Sequence, residues 1–176
     1  MPTLIIFSGL PGAGKTVIAR ELAHRIGAVY LRIDSIEQAL RDSGAISDPL
    51  DEAGYRVAYA LAEENLCLGH TVVTDSVNPL SVTRNAWVAV AKRAHARALE
   101  IEVVCSDPNE HRRRVEHRTS DIPGLRLPTW DEVVSREYHK WEREHLVINT
   151  ASCTIKQAVG TIQRALTSTQ VAATVR

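Results

Sequence analysis

The 176-residue chain is poor in aromatic side chains, which make up 5% of it and include a single phenylalanine. A protein that grips single-stranded nucleic acid stacks bases on rows of such side chains, and Trp87, Trp130 and Trp141 stand too far apart to form one. An excess of either charge is also lacking. Twenty-one Lys and Arg balance 21 Asp and Glu, for a formal net charge of zero. No global field draws the protein to nucleic acid or to an anionic membrane, so any basic groove is local. Cysteine is scarce: Cys67, Cys105 and Cys153 are widely spaced and form no CxxC pair, which argues against a disulfide framework and a cysteine zinc site. No run approaches the ~18 apolar residues of a membrane span. The opening Met-Pro-Thr-Leu-Ile-Ile-Phe has no basic n-region and suits a first strand better than a signal peptide. A cytoplasmic protein is the expectation. His111 and His117, like His139 and His145, are six residues apart and do not face one another on a helix, so histidine metal ligation is not expected.

What is present is more specific. Gly9-Leu10-Pro11-Gly12-Ala13-Gly14-Lys15-Thr16 matches GxxxxGK[ST], directly after the apolar run Leu4-Ile5-Ile6-Phe7 and directly before a helical pattern. Gly9, Gly12, Ala13 and Gly14 form a loop whose backbone N–H groups cradle nucleotide phosphates at a helix N-terminus. Lys15 adds a point charge for those phosphates, and the Thr16 hydroxyl is placed for Mg²⁺. A bound ATP or GTP is therefore expected, with ATP and Mg²⁺ the working assignment.

At this length, with 44% hydrophobic residues, one domain with a real core is expected over residues 1–176. Short apolar runs at 3–8, 28–33, 71–74, 100–105 and 145–148 alternate with helix-length segments. Their unbroken apolar character predicts strands buried on both faces, as in a parallel sheet between helices. Helices are predicted over 16–26, 50–68, 79–97, 129–142 and 154–166, with 167–176 fraying. Gly27 should stop the first, and Thr129 should cap the fourth. The 50–68 segment has two apolar stripes, Val57-Leu61-Leu68 and Tyr55-Tyr59-Leu66. One of them is free to line a pocket or make a further packing contact.

Two aspartates fall at predicted strand ends, where ligands gather in open α/β sheets. Asp34 is assigned as the base that takes or orients the proton of an acceptor hydroxyl; capping of the next helix, with Glu37 at N3, is the competing reading. Asp75 is assigned as the Mg²⁺ partner of Thr16. Phosphoryl transfer spreads negative charge over the moving group, and a kinase working alone supplies its own arginines. Arg114 and Arg118 share a helix face with His111. Beyond them residues 117–128, interrupted by Pro123, Gly124 and Pro128, read as a lid. Arg118 is the first choice for the arginine over the phosphates and Arg126 the second.

These residues resemble the small P-loop kinases that include gluconate kinases, shikimate kinases, chloramphenicol phosphotransferases and the kinase domain of polynucleotide 5′-hydroxyl kinases. The resemblance runs over roughly residues 3–166. Asp34-Ser35-Ile36-Glu37 is similar to the acceptor-binding DxxIE of shikimate kinases. Asp75-Ser76-Val77-Asn78-Pro79, with Arg84, Trp87 and the Arg114 to Arg118 stretch, looks closest to the polynucleotide kinase pattern. The resemblance implies an α/β P-loop NTPase sandwich, a five-stranded parallel sheet of order 2-3-1-4-5 with helices on both faces. It also implies that Asp34 acts on the acceptor hydroxyl and that Arg118 contacts the phosphates; with Lys15 and Arg126 these are the expected catalytic residues, for transfer to a hydroxyl of a small molecule. Asp75-Ser76-Val77-Asn78 departs from the Asp-Gly-Phe-Pro-Arg of adenylate-type kinases, and the Gly-Gly acceptor loop of shikimate kinases is missing. A polynucleotide 5′-hydroxyl kinase, and a nucleotide switch or ATPase without a small acceptor, are the competing functions. Oligomeric state is left open.

Overall fold

The computed structural model describes residues 1–44 and 52–173. Five strands form one parallel sheet in the order β2-β3-β1-β4-β5: β1 (Thr3–Ser8), β2 (Val29–Arg32), β3 (Val72–Asp75), β4 (Arg97–Val104) and β5 (Leu146–Asn149). This is the expected sheet. The helices are α1 (Lys15–Ile26), α2 (Ile33–Asp42), α3 (Ala53–Cys67), α4 (Ser81–Arg93), α5 (Pro108–His117), α6 (Trp130–Val134) and α7 (Ile155–Ala173).

β1 lies at the centre of the sheet, and its alternating side chains feed two cores. Ile5 and Phe7 join Ile18 and Leu22 of α1 and Val159 and Ile162 of α7 on one face. Leu4 and Ile6 join Ala58, Ala62 and Leu66 of α3 and Trp87 and Val90 of α4 on the other. Leu4 to Phe7 are all fully buried, which is why the run reads as apolar without interruption. Gly27, at φ 64°, ends α1 in the left-handed region as expected.

Several boundaries differ from expectation. The part of the predicted 50–68 helix before residue 52 lies outside the described residues, and the helix observed is Ala53–Cys67. Of its two stripes, Val57, Leu61 and Leu68 face solvent, while Ala58, Ala62 and Leu66 supply the buried side. Tyr55 and Tyr59 line a cavity. The last helix does not fray at residue 167 but continues to Ala173. No helix among the described residues is long and apolar enough to cross a membrane.

The largest departure follows Thr129. The predicted cap is present as a full capping box with Glu132, yet α6 ends at Val134 rather than near residue 142. Arg84 of α4 accounts for this. Its buried guanidinium donates to the carbonyls of Asn78 (3.1 Å), Pro79 (3.0 Å) and His139 (2.9 Å). It also lies against the Trp141 and Tyr138 rings at 4.1 and 4.8 Å. The His139 N–H in turn donates to Pro79 O at 2.9 Å. Residues 138–141 thus spend their backbone groups on a cationic clamp that a helix could not satisfy. Replacing Arg84 by Ala removes the guanidinium from four carbonyls, those of Asn78, Pro79, His139 and Lys140, of which Pro79 O keeps the His139 N–H, and from two rings. The expected loss is about 3 kcal/mol of unfolding free energy, read from the urea midpoint.

Candidate active site

Residues 9–16 leave the end of β1 and enter α1 as a loop shaped by its glycines. Gly12 and Gly14 have φ of 82° and 99°, where a side chain is strained. A Cβ on Gly12 would also stand 2.5 Å from Val115 Cγ2. The loop is braced from outside. Gly9 N–H donates to Val77 O at 3.0 Å, and Thr150 Oγ1 donates to Ala13 O at 2.8 Å. His111 Nε2 meets Pro11 O at 2.8 Å, with Trp130 of α6 packed edge-on against its ring. Arg114 does not enter the cavity as a free cation: it donates to Thr150 Oγ1 (2.8 Å) and Glu110 (2.7 Å). The α5 face expected to serve the phosphates therefore mainly stiffens their loop, and Arg118 alone extends past it.

Lys15 Nζ folds over the loop and donates to Leu10 O at 3.0 Å. Burial lowers its pKa to about 8, against the pull of Asp75 and Asp34, and the Arg118 and Arg136 charges lower it further. Asp75, at the end of β3 and paired in register with Phe7 and Arg32, is buried and accepts from Tyr30 Oη at 2.7 Å. Burial first, and the Asp75 charge second, keep that tyrosine protonated and hence a donor. Asp34 lies in the first turn of α2, whose N-cap is Arg32 and makes no side-chain cap bond. The alternative that Asp34 caps the helix is thus corrected, because the helix begins one residue before it. Glu37, one turn on, has its pKa raised by burial and by the Asp34 charge.

These groups line one cavity of about 1290 Å³. Lys15, Thr16, Asp34, Asp75 and Arg118 are brought together in it. Arg118 ends α5 in extended backbone, φ −72° and ψ 145°, which turns the chain away from the helix. Its Nε is buried without a partner among the described residues, and burial holds its pKa below the usual arginine range. Arg126 lines the same cavity but is mostly exposed and donates to Glu132 at 2.6 Å. Arg136, on the chain after α6, also lines the cavity and acts electrostatically on Lys15 and Glu37. Arg136 fell inside the predicted 129–142 helix, whereas in the structure it follows the end of α6. Tyr30 and Arg32 were likewise missed, although both sit on β2 at alternate positions beside the expected base.

The donor set suits Mg²⁺. Thr16 offers a hydroxyl and Asp75 a carboxylate already oriented by Tyr30, and Mg²⁺ takes one or two protein oxygens with phosphates and water. Among the described residues no cluster of three His, Cys, Asp or Glu side chains forms a metal cage.

A parallel 2-3-1-4-5 sheet with this loop after its central strand defines a small P-loop nucleotide-binding protein with the architecture of kinases. Residues 4–135 match the family model described as AAA domain, and the chain belongs to that family. Among the solved structures that share the fold are the following three. The APS kinase CysC of Mycobacterium tuberculosis, in complex with AMPPNP and APS, is 18% identical, with TM-score 0.70 and coverage of 94% of this chain and 97% of that one. Chaetomium thermophilum Kti12 with ADP-AlF3 is 24% identical, with TM-score 0.66 and coverage of 92% and 98%. A gluconokinase from Sinorhizobium meliloti is 14% identical, with TM-score 0.62 and coverage of 94% and 95%. At these identities the likeness speaks for the fold alone. No curated protein matches the sequence.

The lowered Lys15 pKa sets a pH dependence. Phosphates favour the protonated amine, so nucleotide affinity should be level below about pH 8. Above that it should fall, by up to about tenfold per pH unit. Calorimetric titration with Mg·AMPPNP from pH 6.5 to 9.5 reads this directly, and Lys15→Met should abolish the slope.

Proposed function

We propose that the protein is an ATP- and Mg²⁺-dependent kinase that transfers the γ-phosphoryl group to a hydroxyl of a small molecule. The observation that carries this reading is the buried, unpartnered Nε of Arg118 in the same cavity as Lys15, Asp34 and Asp75. A switch that borrows its arginine from a partner has no need of such a group.

In this reading the loop amides of Gly12, Ala13 and Gly14 and the Lys15 amine hold the phosphates. Thr16 and Asp75 would hold Mg²⁺, which when bound would supply positive charge to offset that of the phosphates. Asp34 receives the proton of the acceptor hydroxyl as its oxygen bonds to the γ-phosphorus and the bond to the β–γ bridging oxygen breaks, releasing ADP. Arg118, at the base of a lid formed by 117–128, offsets the charge on the moving phosphoryl group. Arg136, which lines the same cavity and acts on Lys15, adds a second positive charge. Arg126 serves only if its pair with Glu132 opens.

The same cavity is lined by Tyr55, Tyr59, Leu80, Val82 and Ala86, together with Glu37, on which the Arg41 and Arg136 charges act. These apolar and aromatic side chains support a compact alcohol as the acceptor. The fold neighbours include an APS kinase and a gluconokinase, both named for small-molecule acceptors.

Transfer of label from γ-labelled ATP to a pooled panel of sugar acids, nucleosides, amino alcohols and short oligonucleotides tests the reading. A labelled small molecule is expected, with Asp34→Asn and Lys15→Ala each reducing it about 100- to 1,000-fold. A labelled oligonucleotide would favour the 5′-hydroxyl kinase. Free phosphate alone, equal in wild type and Asp34→Asn, would favour a switch or ATPase.

A further inference from the structure

Arg32 ends β2 with its side chain nine-tenths buried, and two carboxylates reach it from distant parts of the chain. Nη1 donates to both oxygens of Asp121, at 2.8 and 3.0 Å. Asp121 belongs to the segment between α5 and α6 and is held by Arg20 of α1 as well, at 2.7 Å. Nη2 lies 3.8 Å from Asp34 Oδ2, within ion-pair range but beyond a hydrogen bond. Nε has no partner among the described residues. One guanidinium therefore faces a carboxylate of the lid, which holds it, and the proposed base, which does not.

The two contacts compete. A largely buried cation that loses its hydrogen-bonded partner is strongly disfavoured, and Asp34 is the next carboxylate within reach. An arginine fork closed on Asp34 would occupy the oxygens that an acceptor hydroxyl must approach, and it would weaken them as proton acceptors.

We propose that Asp121 is a positioning residue that couples the lid to the base. With the lid docked, Asp121 holds Arg32 off Asp34 and leaves its carboxylate open to the acceptor. With the lid withdrawn, Arg32 closes on Asp34 and silences it. Phosphoryl transfer then waits for a closed, water-poor site. This rests on the reading of Asp34 as the base.

The test uses the full chain labelled with ¹⁵N-arginine, with the Arg32 signals assigned by their loss in Arg32→Gln. Hindered rotation about Nε–Cζ reports a held guanidinium. In Asp121→Asn, Arg32 is expected to stay hindered, now through Asp34, and to rotate freely only in the Asp34→Asn/Asp121→Asn double variant. Free rotation in Asp121→Asn alone would overturn the proposal. Hydrolysis of Mg·ATP, with water as the acceptor, gives the second reading. Asp121→Asn should lower kcat about tenfold with the KM for ATP within about twofold, and Asp121→Glu should restore it. In an Arg32→Gln background the Asp121→Asn change should have no further effect; additive losses would contradict the coupling. Failure of the kinase reading shows separately, as labelled transfer indifferent to Asp34→Asn, and leaves the NMR result standing.

Discussion

The constraint on which the rest of the structure depends is the inward turn of the backbone between Gly9 and Thr16. N–H groups aimed at an anion repel one another and need a frame that holds them before any ligand arrives. β1 supplies the frame by being buried on both faces at the centre of the sheet. The fit is tight enough that a Cβ on Gly9 would stand 2.2 Å from the Val103 carbonyl oxygen. His111, Thr150 and Lys15 each bond to a loop carbonyl, and the Gly9 and Ala13 amides bond to Val77 O and Leu10 O, so the turn is fixed by contacts on its carbonyls and at two of its amides. Much of α5 and the turn after β5 is explained by this bracing and not by contact with a ligand.

A chain of zero net charge concentrates its electrostatics over a short range. Lys15, Arg118 and Arg136 face Asp34, Glu37 and Asp75 around one cavity, and burial works against the charge of Lys15, Glu37 and Arg118 alike. In the proposed reading a bound nucleotide would meet the buried Lys15 and the half-buried Arg118 together, and the carboxylates would be divided between metal and acceptor. Cations that are stably paired, such as Arg114 with Glu110 and Thr150, take no part.

The strands and the phosphate loop were legible because their signals are local. An unbroken apolar run means a strand covered twice, and glycines at fixed offsets mean a turn that no other residue tolerates. The strand-end aspartates were legible for a similar reason, since parallel topology gathers strand ends at one edge. What escaped the sequence was set by contacts between distant residues. The 129–142 helix has sound local propensity and a working capping box, yet Arg84, some fifty residues earlier, draws 138–141 into another shape. Arg136 was lost with it. Arg126 stood as the second choice behind Arg118 because nothing local announces that Glu132 serves both the cap and Arg126. The Arg32–Asp121 pair spans 89 positions and has no sequence signature.

The central claim is that Lys15, Arg118 and Asp34 surround a phosphoryl group in flight. A crystal structure of the protein with Mg·ADP and aluminium fluoride measures it most directly. The account places Lys15 and Arg118 within hydrogen-bond distance of the fluorides, Thr16 and Asp75 on the Mg²⁺ side, and Asp34 facing the aluminium along the line of attack. An Arg118 turned to solvent, with Asp34 remote from the aluminium, would contradict it.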